Sequence, residues 1–444
     1  MKKGYLFLIV FSCLISSQNS FSQMEDFPSD IVDHPYKEGE ILVRYLSATA
    51  PEERDLIRSQ MGGEIADNHF IVPNLELVKL PQGQSVEEAL AYYQNTPGVL
   101  YAVPNHLVYI NGGIFPPRPL PDNPDPTPNP FGDPFFDRSY GISLIGSPKA
   151  WEQFTTGSRE IVVGVIDTGI DYTHEDLAAN IWKNPKEIEG NGIDDDNNGF
   201  VDDIYGWNFV GNNNNPFDDN RHGTHVSGTI GALAGNGLGT IGVSPKVSLM
   251  ACKFLSKDGW GSIDAAIRSI SYAVMNGAKV LNNSWGGGGY SQALLDAIKT
   301  AERAGVLFVA AAGNSNADND KNPMYPASYD AANIVSVAAT DYLDQRASFS
   351  SYGKTTVDLA APGVAVFSTV PNNLYGNLSG TSMATPHVAG AAALIWAYKP
   401  ALSMYDLKDL IFKTVDPVDS MKDITVTGGR LNVFNAMAFS LLQF

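Results

Sequence analysis

The sequence predicts an α/β protein in which a helix-covered parallel sheet at residues 139–444 follows a small α+β domain at 23–111. Three observations lead there. Beyond residue 139 the apolar runs Ile161–Ile166, Val247–Phe254, Ala278–Leu281, Val306–Ala312 and Ile334–Ala339 are short, nearly continuous and separated by helical sequence. Strands without polar alternation are buried on both faces, which calls for helices above and below a parallel sheet. Between residues 38 and 111 strand and helix cues alternate at shorter spacing, as in one α+β unit. Between the two, Pro116–Pro134 holds nine prolines among Asn, Asp and Gly. Such a stretch resists helix and sheet, so 112–138 reads as an extended linker open to cutting.

The first residues read as an address. Lys2 and Lys3 precede the apolar run Tyr5–Phe11, and Ser20-Phe21-Ser22 offers small residues at both cleavage-pocket positions. Residues 1–22 are therefore expected to be an export signal and the mature protein secreted, extracellular or periplasmic. Lipid anchoring through Cys13 is the lesser alternative, because Val10-Phe11-Ser12-Cys13 matches a lipobox only loosely. Cys13 and Cys252 are the only cysteines, so no disulfide framework is expected. Cys252, between Ala251 and Lys253 in an apolar strand, reads as buried packing.

In the small domain Ile41-Leu42-Val43 reads as a strand, and a helix opens near Thr49 and stops at Gly62-Gly63. Leu75–Leu80 is a second strand, Ser85-Val86-Glu87-Glu88 a capping box that starts a second helix, and Val99–Val108 a third strand. Composition then limits function. With 444 residues, 44% hydrophobic and 17% charged, the chain can bury a large core. A formal charge of −19 repels phosphate backbones and anionic lipids, so neither nucleic acid nor a membrane surface is an expected partner. No stretch after the export signal reaches the roughly 20 apolar residues of a membrane span, and a monomer is expected.

Reacting groups of a parallel α/β sheet collect outside the carboxyl ends of its strands. Three polar clusters fall there. The strand ending at Ile166 runs into Asp167-Thr168-Gly169, which places a carboxylate at the lip, although an Asp there also serves as an ordinary helix cap. His222-Gly223-Thr224-His225 opens a small-residue helix; two His three apart lack the Glu and third ligand of a zinc protease. Gly380-Thr381-Ser382-Met383-Ala384-Thr385-Pro386-His387 precedes the apolar helix Val388–Tyr398, so Ser382 sits at the positive end of a helix dipole, or acts only as a cap. Ala310-Ala311-Ala312-Gly313-Asn314 ends another strand with an amide at the same rim. A dinucleotide module is disfavoured, because no Gly-x-Gly-x-x-Gly stands at the first strand–helix turn.

Together and in this order, the segments around Asp167, His222 and Ser382 resemble the subtilisin-like serine proteases. The similarity continues through Ser284-Trp285-Gly286-Gly287, Ala312-Gly313-Asn314, Ser348-Phe349-Ser350 and Ala361-Pro362-Gly363, covering nearly all of 139–440. The first domain, ending in Tyr101-Ala102-Val103-Pro104-Asn105, resembles the inhibitory propeptide of that family. The resemblance implies a subtilisin-like three-layer domain and a secreted serine endopeptidase made as a self-processing precursor, with its own propeptide as inhibitor and proteins or peptides as substrates. It implies Ser382 as nucleophile, His222 as general base, Asp167 as its orienting partner and Asn314 with the Ser382 N–H as oxyanion donors. Gly259-Trp260-Gly261 and Ser284-Trp285-Gly286 would flank an extended substrate, and Met324 would partly fill the primary specificity pocket.

Calcium is the expected structural cofactor. Asp194, Asp196 and Asn198 followed by Gly199, then Asp202 and Asp203, match the first half of an EF-hand loop. Tyr205 stands where the bidentate Glu belongs, so the loop is either shortened and closed by Asp202 or Asp203, or merely an acidic turn. Calcium is favoured because so many carboxylates repel one another without a cation. By resemblance alone, Asp176 and Asn236 match a second calcium site.

Overall fold

A computed structural model describes residues 35–69, 71–110 and 129–443. The expected export signal, Cys13 and most of the proline-rich linker lie outside the described residues. The small domain consists of β1 (Tyr36–Tyr45), α1 (Pro51–Gln60), β2 (Glu64–Asn68), β3 (Leu75–Lys79), α2 (Val86–Gln94) and β4 (Val99–Ile110). Ser85 caps α2 as expected, accepting the Glu88 N–H at 3.2 Å. The strands pair antiparallel in the order β4-β1-β3-β2. β2 is absent from the sequence reading because it is a polar edge strand, mostly exposed and broken by a register shift between Ile65 and Asp67.

The apolar run Ile41-Leu42-Val43 looks continuous because it serves two cores. Ile41, Val43 and Val78 pack with Ala89 and Tyr93 of α2, whereas Leu42, Leu75, Leu77 and Val108 join a cluster shared with the second domain. The small sheet is thus covered by its own helices on one face and by the larger domain on the other.

That domain follows with α3 (Tyr140–Leu144), α4 (Ser147–Gln153), β5 (Gly157–Asp167), β6 (Gly206–Asn208), α5 (His222–Gly231), β7 (Lys246–Lys253), β8 (Trp260–Ser262), α6 (Ile263–Met275), β9 (Val280–Asn283), β10 (Trp285–Gly286) and α7 (Gln292–Arg303). It continues with β11 (Leu307–Ala311), β12 (Ile334–Thr340), β13 (Leu359–Pro362), β14 (Val366–Val370), β15 (Leu374–Leu378), α8 (Thr381–Tyr398), α9 (Met404–Lys413), β16 (Asp416–Pro417), β17 (Gly429–Arg430) and α10 (Val433–Gln443). A nine-stranded sheet runs β16-β17-β13-β12-β11-β9-β5-β7-β6, parallel except for the terminal β16–β17 pair. All five apolar runs read as strands belong to it, and Cys252 of β7 is fully buried, its thiol pushed up by that burial.

α8 runs through the apolar core, and its residues from Thr381 to Trp396 are all buried. Pro386 sits inside this helix and lacks the N–H that would bond the carbonyl four residues back, which is that of Ser382. The Ser284 hydroxyl donates to that carbonyl instead, at 2.9 Å. β8 and β10 do not join the large sheet. Both pair antiparallel with β4, so the small domain's sheet is completed by two strands of the larger one.

Candidate active site

Strand β5 lies near the centre of the large sheet and delivers Asp167 at its carboxyl end; α5 begins with His222; Ser382 sits in the first turn of α8. Asp167, His222 and Ser382 are at most 2% exposed. Asp167 Oδ1 lies 2.8 Å from His222 Nδ1 and also accepts the Thr168 N–H at 2.7 Å. A carboxylate beside Nδ1 makes that nitrogen the donor, which leaves the lone pair of the neutral imidazole on Nε2. Among the described residues Nε2 has no hydrogen-bond partner. The Ser382 hydroxyl donates to the Ser284 carbonyl at 2.8 Å rather than to His222. Rotation about one bond of Ser382 frees the hydroxyl, and such contacts commonly tighten only when substrate arrives. Ser382 is not a cap, since Gly380 holds that position.

The loop entering α5 is fixed by a residue whose role sequence reasoning missed. Buried Asp218 accepts the Thr168 hydroxyl at 2.9 Å, the Thr224 N–H at 2.8 Å and hydroxyl at 2.6 Å, and the N–H groups of Asn220 and Arg221 at 2.9 and 3.0 Å. Burial pushes its carboxyl above the ordinary range against the pull of these donors. Arg221, next to His222, is held at φ 121°, a conformation a non-glycine residue adopts only when its surroundings enforce it. Lys253 Nζ ties the same two loops together, reaching Thr168 O at 2.7 Å and Asp219 Oδ1 at 2.6 Å. His225 plays a different part from His222. Burial lowers it to about 3, and its Nε2 stands 2.9 Å from Val366 O, a placement that suits packing and not metal.

Asn314 follows β11 at the same rim. Its Oδ1 accepts the Thr381 N–H at 2.9 Å and the Thr381 hydroxyl at 3.0 Å. A planar amide held by its oxygen on one side presents its NH2 on the other. Met324 lies close by: a Cβ added to Gly313 would stand 3.0 Å from Met324 Cε.

The expected substrate rims, Gly259-Trp260-Gly261 and Ser284-Trp285-Gly286, face β4 from its two sides. Tyr109 pairs with Gly286 and Ile110 with Trp285, while Tyr109 pairs with Trp260, Val108 with Gly261 and Leu107 with Ser262. The Ile110 N–H donates to Gly259 O at 3.0 Å. A strand from the small domain therefore lies in the cleft as an extended peptide would. Arg44 Nη1 to Asp296 Oδ2 (2.5 Å), the Tyr101 hydroxyl to the same oxygen (2.6 Å) and Asn105 Oδ1 accepting the Asp264 N–H at the start of α6 (3.0 Å) hold the two domains together.

Among the described residues Glu187, Asp194 and Asp196 form one group able to hold a metal ion, their ligand oxygens within 4.8 Å of one another. Lys186 Nζ stands 3.8 Å from Asp196. Glu187 was not among the expected ligands, because it lies seven residues before Asp194, outside the loop pattern. The structure uses Asp202 otherwise: its oxygens accept the N–H groups of Gly190, Asn191 and Gly192 at 2.9, 3.2 and 2.9 Å. Asp203 turns inward to the Tyr272 hydroxyl at 2.6 Å, Asn184 at 2.7 Å and Asn198 at 3.1 Å. Burial pushes Asp203 up to about 6. Asp176, also raised to about 6 by burial, accepts Asn236 Nδ2 at 2.8 Å, so these two expected partners do meet.

A model described as the subtilase family (peptidase S8) matches residues 158–434, more than half of the sequence. The chain belongs to the subtilase family. This is a family of serine endopeptidases, and a model of the fervidolysin N-terminal prodomain matches residues 29–105 of the chain. The subtilase is 33% identical to the thermophilic serine proteinase of Bacillus sp. strain AK1, over 91% of this chain and 88% of that one. It is 36% identical to thermitase of Thermoactinomyces vulgaris, over 70% of this chain and 100% of the relative. Against subtilisin-like protease 1 of Plasmodium berghei it is 35% identical over 69% of its own length and spans about half of the relative, 54%. The crystal structure of fervidolysin from Fervidobacterium pennivorans, a keratinolytic enzyme related to subtilisin, superposes with a TM-score of 0.76 at 26% identity, covering 91% of this chain and 62% of that one. The subtilisin-like fold with an N-terminal prodomain is thereby established, and no helix among the described residues is long and apolar enough to cross a membrane.

Gly223 shows how little slack this site has. A Cβ there would stand 2.0 Å from Gly169 O and 3.2 Å from Asp167 Oδ1. Because backbone must move, Gly223→Ala should displace His222 from Asp167; a shift of about 1 Å costs on the order of 10²-fold. Steady-state kinetics on a peptide substrate should show the loss in kcat with little change in KM.

Proposed function

We propose that this subtilase is a secreted serine endopeptidase made as a self-inhibited, self-processing precursor. The observation that carries the reading is the 2.8 Å contact between Asp167 Oδ1 and His222 Nδ1, which leaves Nε2 without a partner among the described residues at the cleft that holds Ser382. Ser382 Oγ attacks the scissile carbonyl while His222 Nε2 takes its proton and later returns it to the leaving amine. Asp167 holds the imidazole in the required tautomer and stabilises the imidazolium. The tetrahedral oxyanion is met by the Asn314 NH2 and the Ser382 N–H, and one side-chain donor of this kind is worth about 3 kcal/mol. An ester to Ser382 forms, and water, deprotonated by His222, releases it. Met324 beside Gly313 fits a primary pocket for residues such as Leu, Met or Ala rather than Trp.

The placement of β4 between the two rims supports the inhibitory role of residues 23–111: an incoming substrate has to replace that strand. Ser382→Ala should leave the fold intact and abolish both peptide hydrolysis and precursor processing. Normal trimming of that variant in a protease-free host would count against self-processing.

Calcium is the cation that suits Glu187, Asp194 and Asp196, since an all-carboxylate set selects a hard ion. With Asn198 and Asp203 beside it, the ion would neutralise the segment that leads through β6 toward His222. Asp176 and Asn236 stand for a second such site by family resemblance alone, since Asn236 turns its NH2 rather than its oxygen toward Asp176. Calcium at a hundredfold above its dissociation constant would add about 2.7 kcal/mol to folding stability. Melting temperature should therefore rise with calcium and fall with EGTA, and Asp196→Ala should blunt that response. Equal melting temperatures in calcium and in chelator would identify an acidic turn instead.

A further inference from the structure

His222 and Ser382 sit on two different helices, and one hairpin is tied to both. β14 and β15 pair antiparallel from Val366 opposite Leu378 to Val370 opposite Leu374, and β14 packs on α5, the helix that His222 opens. His225 lies three residues beyond His222 and so leaves α5 on the same face. It is fully buried, with Nε2 2.9 Å from Val366 O on β14 and 3.2 Å from Gly376 O on β15. Carbonyls only accept, so Nε2 carries the proton and its single N–H is shared between the two strands. Nδ1 is then an acceptor, and it has no partner among the described residues. A buried acceptor without a partner is destabilising, and a methionine or leucine would fill the same space without that loss. What the imidazole adds over such a side chain is the N–H.

From the hairpin the chain reaches Ser382 without slack. Gly376 stands six residues before it. Leu378 pairs with Val366, Ser379 Oγ accepts the Ala365 N–H at 2.8 Å, and the Gly380 N–H donates to Gly363 O at 2.8 Å; Ser382 follows in the first turn of α8. On the side of α5 the Ser368 hydroxyl donates to His225 O at 2.7 Å and the Thr369 hydroxyl to Thr224 O at 2.8 Å. A Cβ on Gly228 would collide with both hydroxyls, so helix and strand meet there with no room to slide.

We propose, on the reading that His222 and Ser382 act as base and nucleophile, that His225 is a positioning residue: bonded to one carbonyl on each strand, it fixes the hairpin against α5 and so sets the distance from His222 Nε2 to Ser382 Oγ. It exchanges no proton in the reaction and acts through the other two residues. Its effect falls on the alignment of the proton transfer, where a displacement of about 1 Å costs on the order of 10²-fold.

Steady-state kinetics on a peptide substrate, counted per site that a fluorophosphonate labels, tests this. Each variant is made as the full-length chain, and a trace of tagged wild-type enzyme completes its processing and is then withdrawn. His225→Met, which keeps the bulk and loses the N–H, should lower kcat on the order of 10²-fold at unchanged KM. His225→Gln, whose amide nitrogen can take the place of Nε2, should recover most of that loss. Added to His222→Ala, His225→Met should bring no further loss, because the base it orients is already gone. Where His225→Met does not accumulate as folded protein, Ser368→Ala combined with Thr369→Val removes the two hydroxyl bonds between β14 and α5, and it too should lower kcat at unchanged KM. An unchanged kcat, whether or not KM moves, overturns the positioning role and leaves the peptidase reading standing. Equal losses in His225→Met and His225→Gln, or a second full loss on top of His222→Ala, overturn it as well. Wild-type enzyme that neither labels at Ser382 nor hydrolyses the substrate overturns the peptidase reading, and the positioning role with it.

Discussion

One buried hydrogen bond, between Asp167 at the end of β5 and His222 at the start of α5, organises the rest of this structure. Its two residues are 55 positions apart and lie on different elements, so its 2.8 Å length is only as good as the packing that sets it. The parallel sheet places the carboxylate at its lip, in a setting where water is excluded and a charge–imidazole contact is stronger than in solvent. Asp218 and Lys253 fix the loops on either side, and Gly223 lets α5 touch the Asp167-Thr168-Gly169 turn. Each of these serves the orientation of one imidazole.

The second constraint is that the cleft is built like the edge of a sheet. β8 and β10 have no partner in the nine-stranded sheet, and their hydrogen-bonding groups are met by β4 of the prodomain. The same main-chain pattern would suit an extended substrate, so the proposed inhibition and the proposed recognition would draw on a single geometry. Reciprocal bonds between Ser284 and Ser382, permitted by the missing N–H of Pro386, lock the rim of that cleft to the helix that carries the serine.

Much of this was legible in the sequence, because both periodicity and motif order survive in it. The buried strands announced themselves as continuous apolar runs, and Asp167, His222 and Ser382 stood at strand ends and helix starts where the fold brings functional groups together. What stayed hidden depended on contacts between distant segments. β2 carries no apolar alternation since it is a polar edge. Glu187 lies outside the spacing of the loop it approaches, and Asp202, which looks like a ligand in the pattern, is taken up by three backbone N–H groups. Asp218 reads as one more acid in a polar loop until the buried donors around it are known.

In the proposed mechanism Ser382 is an activated nucleophile and His222, oriented by Asp167, activates it. Titration of the processed enzyme with a fluorophosphonate, followed by mapping of the adduct, tests this most directly. About one equivalent of label is expected, carried by the peptide containing Ser382, with Asp167→Asn slowing the labelling by a large factor, on the order of 10⁴ where such a tautomer has been inverted. Label on another residue, no label at all, or an unchanged rate in Asp167→Asn would contradict it.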